Sequence, residues 1–340
     1  MSSNKLVSIL IPCYNSEKWI AETLKSALDQ TWQNIEIILV DDGSTDNSLS
    51  IARSYESSRL KVITQENRGA SSARNRALKE AQGDFIQYLD ANDLLNPQKI
   101  EAQVLLLQQN ESGILGACGT VHFFDGQAPN DGIYESGFPF IVDSDDPLDW
   151  LLRLYGSEDD KAGMVPLHAW LTPRHISDAA GLWDEQLSLD DDGEYFARVV
   201  LASKGIRRSD TALSYYRRYR TSGSLSSGNS EHHHLSALRS ADSKAQQILA
   251  RTDSPKAKRA LARAYMSIAI LSYPNCPKIS DLALKKVMDM GGTNWLPTIG
   301  GEVTELIKGT FGWKSARIIN FNYHRFKAKL IQKLNFLVTH

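Results

Sequence analysis

Cysteine is scarce: the chain has three in 340 residues, Cys13, Cys118 and Cys276, far apart and in no Cys-x-x-Cys or Cys/His arrangement. That excludes a disulfide framework and a zinc site, and it points to a reducing compartment. Long apolar runs are missing as well, since no segment reaches the roughly 18 apolar residues that a membrane-spanning helix needs. The apolar start, Leu6 to Ile11, is short, ends at Pro12 and continues into polar residues. It reads as a buried strand and not as a signal peptide. A glycine-rich phosphate loop is absent after it: Pro12-Cys13-Tyr14-Asn15 stands there, which counts against a sugar-phosphate nucleotidyltransferase. The chain also lacks an overall charge excess, with 38 Lys/Arg against 40 Asp/Glu. With 42% hydrophobic and 23% charged residues it has the composition of a folded globular protein, neither disordered nor fibrous. The imbalance is local. Leu306 to His340 holds seven Lys/Arg and no Asp or Glu, which leaves −9 on the first 305 residues. An acidic body and an apolar-rich basic tail argue against nucleic acid as a partner.

What is present is an alternation. Leu6–Ile11 and Ile35–Val40 are β-branched apolar runs of the kind buried on two faces in a parallel sheet. Between them, Ser16–Gln30 has helical spacing, with Trp19, Ile20, Leu24, Ala27 and Leu28 on one side. The pattern repeats with a helix at Ser44–Tyr55, a strand at Leu60–Thr64, a helix at Ser71–Ala81, a strand at Asp84–Leu89 and a helix at Pro97–Asn110. The expected fold class is therefore α/β, a mostly parallel, doubly wound Rossmann-like sheet that binds ligands beyond the carboxyl ends of its strands. Those ends are the polar clusters: Pro12–Asn15, Asp41–Ser44, Gln65–Gly69 and Asp90–Asp93. Further strands are expected near Val121–Phe124, Ala169–Thr172 and Ala212–Tyr216, a helix at Gly193–Ser203, and a surface excursion at Asp125–Pro147. Beyond Ser230 helices dominate, at Leu235–Leu249, Ala257–Leu271 and Asp281–Met288.

Six segments, VSILIPCYN, VDDGSTD, ENRGASSARN, YLDAND, GLWDEQLSLDDDGEYFAR and YYRR, occur in an order and spacing that resembles the inverting family 2 glycosyltransferases of the GT-A fold. The resemblance runs from about Val7 to Ser226. It implies a nucleotide diphosphate sugar as donor, with UDP expected, and a hydroxyl acceptor on a glycan, glycolipid or peptide. It places Pro12, Tyr14, Asn15 and Glu17 along the nucleotide, with the Tyr14 ring on the base, and Asp42 as acceptor for the uracil imide N–H. A core position for Tyr14 and a plain turn at Asp42 are the alternatives. Arg74, a cation near a helix start where the macrodipole disfavours one, would face the nucleotide. Asp90-Ala91-Asn92-Asp93 stands where the family has its Asp-x-Asp signature, so Asp90 would contact ribose and Asn92 or Asp93 would hold Mg²⁺ or Mn²⁺. The departure is Asn92 in place of the metal-binding Asp. Aligning Arg198 with the family's arginine makes Asp192 the general base and Asp191 a helix cap, with the reverse assignment open. Arg217 or Arg218 and Ser224 or Ser226 would sit at the diphosphate; Tyr219 replaces a frequent His. His168 and Trp170 are candidate walls of an acceptor pocket, and Trp is more often simply buried. His232, His233 and His234 read as a solvated helix start.

The expected organisation is a nucleotide-sugar half over 1–110, an acceptor half over 111–225, a helical extension over 226–305 and a basic amphipathic tail over 306–340. The tail suits an interfacial helix on anionic lipid, a docked helix or a homodimer contact. The expected location is cytoplasmic, at the inner face of the membrane where the tail engages it. Asn92 and Tyr219 leave a second reading open, a degenerate transferase serving as a scaffold or binding subunit.

Overall fold

The computed structural model describes residues 4–134, 141–157, 162–219 and 230–338, with side chains except those of 324, 325 and 327–338. The chain divides into two compact units, Met1–Leu154 with Lys161–Gly228, and Tyr155–Asp160 with Asn229–His340.

The first unit opens with β1 (Val7–Cys13), α1 (Ile20–Leu28), β2 (Ile35–Asp41), α2 (Ser48–Ser54), β3 (Leu60–Thr64), α3 (Ala70–Glu80) and β4 (Phe85–Tyr88). It continues through β5 (Leu94–Leu95), α4 (Lys99–Gln108), β6 (Ile114–Phe124), β7 (Ile133–Tyr134), α5 (Pro147–Leu154), β8 (Thr172–Pro173), α6 (Arg174–Ala180), α7 (Asp191–Ala202) and β9 (Gly205–Arg218). Every residue of β1 and all of β2 except Glu36 are buried. Their sequences run apolar without alternating because a strand covered on both faces has no wet side.

The main sheet has the order β3-β2-β1-β4-β8. Its first four strands are parallel and β8 closes the edge antiparallel. Since β1 pairs with β2 on one side and β4 on the other, winding reverses there, and the carboxyl ends of β1 and β4 flank the switch-point crevice. A second sheet, β5-β9-β6-β7, was only partly legible. The short strands expected at Val121–Phe124 and Ala212–Tyr216 extend to 11 and 14 residues. They pair in parallel, with a register shift between Cys118 and Gly119. Arg207, Arg208 and Asp210 hide the β9 pattern, and Arg207 is accommodated by Asp145 (2.6 Å). The strand expected at Ala169–Thr172 is a 3-10 turn, Leu167–Ala169, followed by the two-residue β8. Under the sheet's carboxyl edge lies an aromatic layer: Trp183 stacks on Tyr195 at 4.1 Å, and Trp170 stacks on Phe196 at 5.5 Å. Each such buried ring contributes about 1.5–3 kcal/mol through area alone.

The second unit is helical: α8 (Glu231–Leu249), α9 (Pro255–Ser272), α10 (Pro277–Asp289) and α11 (Glu302–Val338). Ser230 and Ser254 cap α8 and α9 by accepting from the His233 and Ala257 N–H groups, and Pro255 and Pro277 open α9 and α10. Small residues such as Ala241, Ala260, Ala269 and Ala283 are buried in the helix faces. Tyr265 donates to Asp242 (2.7 Å). α11 breaks at Gly312, whose φ of 80° no helical residue adopts, so it is two helical segments.

Candidate active site

The residues singled out by sequence gather at the carboxyl edge of the main sheet. Directly after β1, Tyr14 is 49% exposed, so it is not a core residue. Pro12 is buried within β1. Asn15, at φ 47°, binds the β2–α2 loop: its N–H donates to Ser44 Oγ (3.0 Å) and its Oδ1 accepts from Thr45 N–H (2.8 Å). Glu17 accepts from Asn47 N–H and Nδ2, both at 2.9 Å. Asn15 and Glu17 therefore lock two loops together.

At the end of β2, Asp42 is buried and accepts from Gln65 Nε2 (2.8 Å), Arg68 N–H (2.9 Å) and Gly69 N–H (2.8 Å). Three of the roughly four lone-pair positions of a carboxylate are thus filled by the chain. Its neighbour Asp41, to which the sequence reading gave no role beyond a turn, accepts from Ser44 N–H (3.2 Å) with Oδ2, while its buried Oδ1 has no donor. Asn47 holds the N-cap position of α2 without a side-chain bond, and Asp46 accepts from Ser48 N–H (2.9 Å).

Gly69 holds the N-cap position of α3, and Ser71 and Ser72 lie inside the helix. Arg74, on the same helix, is 5% exposed. Its Nη1 donates to Asp191 Oδ2 (2.7 Å) and its Nη2 to Asp90 Oδ1 (2.9 Å). The guanidinium lies 4.5 Å over the Trp183 ring. One buried cation therefore joins the acid after β4 to the acid that opens α7, which explains a cation so close to a helix start.

Asp190 takes the N-cap position of α7 at φ 60°, a left-handed geometry that Asp tolerates, with no side-chain cap. Asp191 is the first helical residue, and its carboxylate accepts from Ser71 Oγ (3.2 Å) and Arg74. Glu194 instead pairs with Arg198 through two bonds, at 2.8 and 2.7 Å. The helix-cap reading of Asp191 is thereby corrected: the side chains of Asp191 and Glu194 are both drawn away from the helix-end N–H groups by arginines. Asp192, half-buried, accepts from the N–H of Gly193 (2.8 Å). Burial, then the Asp191 and Asp190 charges, push its pKa up to about 7, against the pull of Arg74. Burial also raises Asp90. Tyr216, a residue without an assigned role in the sequence reading, is pushed up to about 12 by burial and by Asp93, Asp90 and Asp192 together. The three carboxylates thus act on one phenol.

Three sequence expectations do not survive the geometry. Arg217 is buried and fully engaged: its N–H donates to Asp93 (2.7 Å), Nε to the Asn92 carbonyl (2.8 Å), and Nη2 to Glu22 (2.6 Å). It ties β9 to the Asp90–Asp93 turn and does not reach out as a diphosphate clamp. Arg218 is exposed and donates to His122 Nδ1 (2.9 Å). Asp93, 2% exposed, has one oxygen on the Arg217 N–H and the other 3.2 Å from His168 Nδ1, so it is no open metal ligand. His168 and Trp170 are 0% and 2% exposed and belong to the core below the site, not to an acceptor wall. Ser224 and Ser226 lie outside the described residues.

For a metal, the donor set is small. Among the described residues no group of three or more His, Cys, Asp or Glu stands ready to hold an ion. Asp90 keeps the oxygen that Arg74 does not take. The amide of Asn92 donates to the Tyr219 hydroxyl (2.7 Å), which leaves its oxygen without a bond. Two such oxygens fit Mg²⁺ only as part of a shell completed by phosphate oxygens and water. At the start of α8 His232 is exposed, His233 half-buried and His234 buried, so the reading of all three as a solvated helix start is corrected: the third packs into the helix face.

Comparisons with known proteins agree with this architecture. Residues 8–149 match the profile of Glycosyl transferase family 2. "Glycosyltransferase GlyG" of Streptococcus pneumoniae is 36% identical over 143 residues, 41% of this chain and 47% of that protein. The Escherichia coli "UDP-Glc:alpha-D-GlcNAc-diphosphoundecaprenol beta-1,3-glucosyltransferase WfgD" is 42% identical over 106 residues, 31% of this chain and 42% of that protein. The chain spans less than half the length of these curated relatives. Among solved structures, Staphylococcus aureus TarS 1-349 in complex with UDP-GlcNAc has a TM-score of 0.58 at 21% identity, over 84% of this chain and 88% of that one, a likeness of fold. The parallel sheet with its carboxyl-edge acids, the helical extension and the comparisons lead to one conclusion: the chain has a GT-A-like fold, and its residues 8–149 are similar to Glycosyl transferase family 2.

Proposed function

We propose that the protein is an inverting glycosyltransferase that moves a sugar from a nucleotide diphosphate sugar, a UDP-sugar, to a hydroxyl of a glycan, glycolipid or peptide. The observation that carries this reading is the convergence of Asp90 and Asp191 on the buried Arg74, with Asp192 beside them and holding its proton more tightly than an ordinary carboxylate. Asp192 takes the proton of the acceptor hydroxyl as that oxygen attacks the anomeric carbon. The bond from that carbon to the diphosphate breaks, and the electron pair leaves with the nucleotide. A base whose pKa lies near neutrality is matched to that task. Arg74 prevents the clustered carboxylates from repelling the diphosphate outright and fixes Asp191, so that Asp192 stays in register with the β4 edge. Tyr14, half-exposed after β1, offers a ring face to the base, and at the neighbouring strand end Asp42 keeps one lone-pair position on Oδ2. A bound Mg²⁺ or Mn²⁺ would be held by Asp90 and Asn92 together with the diphosphate and would neutralise charge on the leaving group.

A UDP donor and a lipid-linked acceptor are supported by the name of the E. coli relative, and an acceptor at a membrane suits α11. Leu306, Phe311, Tyr323 and Phe326 are exposed on it, interleaved with Lys and Arg. No helix of the described residues is long and apolar enough to cross a membrane, so the contact would be interfacial.

A panel of UDP-, GDP- and dTDP-sugars assayed for nucleotide release identifies the donor. Release from UDP-sugars, stimulated by a glycan or lipid-linked acceptor, supports the reading. Release from none of them, with no thermal stabilisation by UDP, contradicts it.

A further inference from the structure

The second unit has a cavity of its own, of about 540 Å³, lined by Arg259, Arg263, Thr293, Asn294, Trp295 and Leu296. Its cations come from α9, a helix that carries Lys256, Lys258, Arg259 and Arg263 and no carboxylate. Arg259 and Arg263 stand four apart, on one helical face, where like charges disfavour each other. Arg263 lies 5.5 Å over the Trp295 ring and donates to the Gly156 carbonyl, which fixes both planes. Arg259 is exposed and makes no ion pair or hydrogen bond among the described residues, and the same holds for the amide of Asn294.

The facing loop is built rather than loose. Trp295 N–H donates to Thr293 Oγ1 (3.1 Å), and the N–H groups of Ile299 and Gly300 donate to Glu305 (2.6 and 3.3 Å). Lys308 donates to the Pro297 carbonyl (3.0 Å) and Asn320 to that of Ile299 (2.9 Å). Glu305 also pairs with Lys308, so it is occupied away from the two arginines. What remains is a fixed indole, a fixed guanidinium, a second guanidinium without a partner, and an amide and a hydroxyl beside them. Guanidinium forks match phosphate and carboxylate oxygens, an indole and a leucine suit the apolar face of a pyranose, and the volume admits one or two sugar rings.

We propose that this cavity is a binding site for an anionic sugar, with Arg259 and Arg263 on its phosphate or carboxylate and Trp295, Asn294 and Thr293 on its ring and hydroxyls. The site is independent of the donor site in the first unit and does not require the transferase reading.

Calorimetry on the full chain, in the presence of excess UDP, tests this with glucose 6-phosphate, glucuronate, glucose and inorganic phosphate as probes. Binding of both anionic sugars is expected, with about tenfold weakening in Arg259→Gln and a further loss in the Arg259→Gln/Arg263→Gln chain. Since Arg259 is exposed and unbonded, its variant keeps the fold. Thermal unfolding and UDP affinity, measured on the same samples, test the fold and the donor site separately. The proposal is overturned if neither anionic sugar binds, if Arg259→Gln binds them as tightly as the parent, or if phosphate or glucose binds as tightly as they do.

Discussion

At Asp192 three influences meet: burial and two neighbouring aspartates hold the proton on, while Arg74 and the Gly193 N–H favour its loss. With the pKa pushed up to about 7 and the ionised form needed as base, kcat/KM should rise with pH through about 7 and level off above it. A profile already flat at pH 5 would remove Asp192 from the base role. The same shift has a stability side. Because the folded value lies above the ordinary one of 3.8, Asp192 adds no cost below about pH 4. It costs progressively more up to about pH 7, so its part of the stability is lost as pH rises through that window. Arg74 lowers the Asp192 pKa, so Arg74→Gln should move the acidic limb of the rate profile to higher pH and lose about 3–5 kcal/mol of stability, read by denaturant unfolding. An unmoved limb would uncouple the two residues. At this scale Arg74 was legible because a cation near a helix start breaks a local rule. Asp191 was not: its spacing to Glu194 matches a capping box, and only the fold brings Arg74 and Arg198 close enough to claim both side chains.

Among the elements, the turn from β3 into α3 rests on Gly69. At φ 91° and ψ 163° it occupies a region that is essentially glycine's alone, and its N–H donates to Asp42. Gly69→Ala should cost about 1–3 kcal/mol in thermal or denaturant unfolding and weaken UDP binding with it; an unchanged stability would mean that the turn relaxes freely. The β9 end rests on Arg217, which bonds to the Asn92 carbonyl, Glu22 and Asp125 from a buried position. Arg217→Met should lower stability by about 3–5 kcal/mol, whereas a residue acting only on a bound diphosphate would leave unliganded stability unchanged. The parallel strands β1 to β4 could be read from sequence because burial on two faces writes uninterrupted apolar runs. The long β6–β9 pair could not, since its arginines are satisfied by Asp145, Asn110 and Tyr134, residues distant in the chain. α5 and α6 were likewise hidden, each no longer than eight residues.

Across the whole molecule, charge is segregated: carboxylates gather at the carboxyl edge of the main sheet, while the last segment carries cations and exposed apolar side chains without a single Asp or Glu. If that segment lies on anionic lipid, the full chain should co-sediment with phosphatidylglycerol vesicles at low salt and release at high salt, because screening shortens the reach of each Lys and Arg. Binding phosphatidylcholine equally well, or self-association without lipid binding, would point instead to an apolar or dimeric role for α11. At the centre stands the proposal that Asp192 is the base at a nucleotide-sugar site joined by Arg74. It is tested most directly by Asp192→Asn, with UDP affinity from calorimetry and transfer rate from product formation. The account predicts UDP affinity within about threefold of the parent and a transfer rate at least about 10²-fold lower. A variant that still transfers sugar near the parental rate, or a parent chain that binds no UDP, would contradict it.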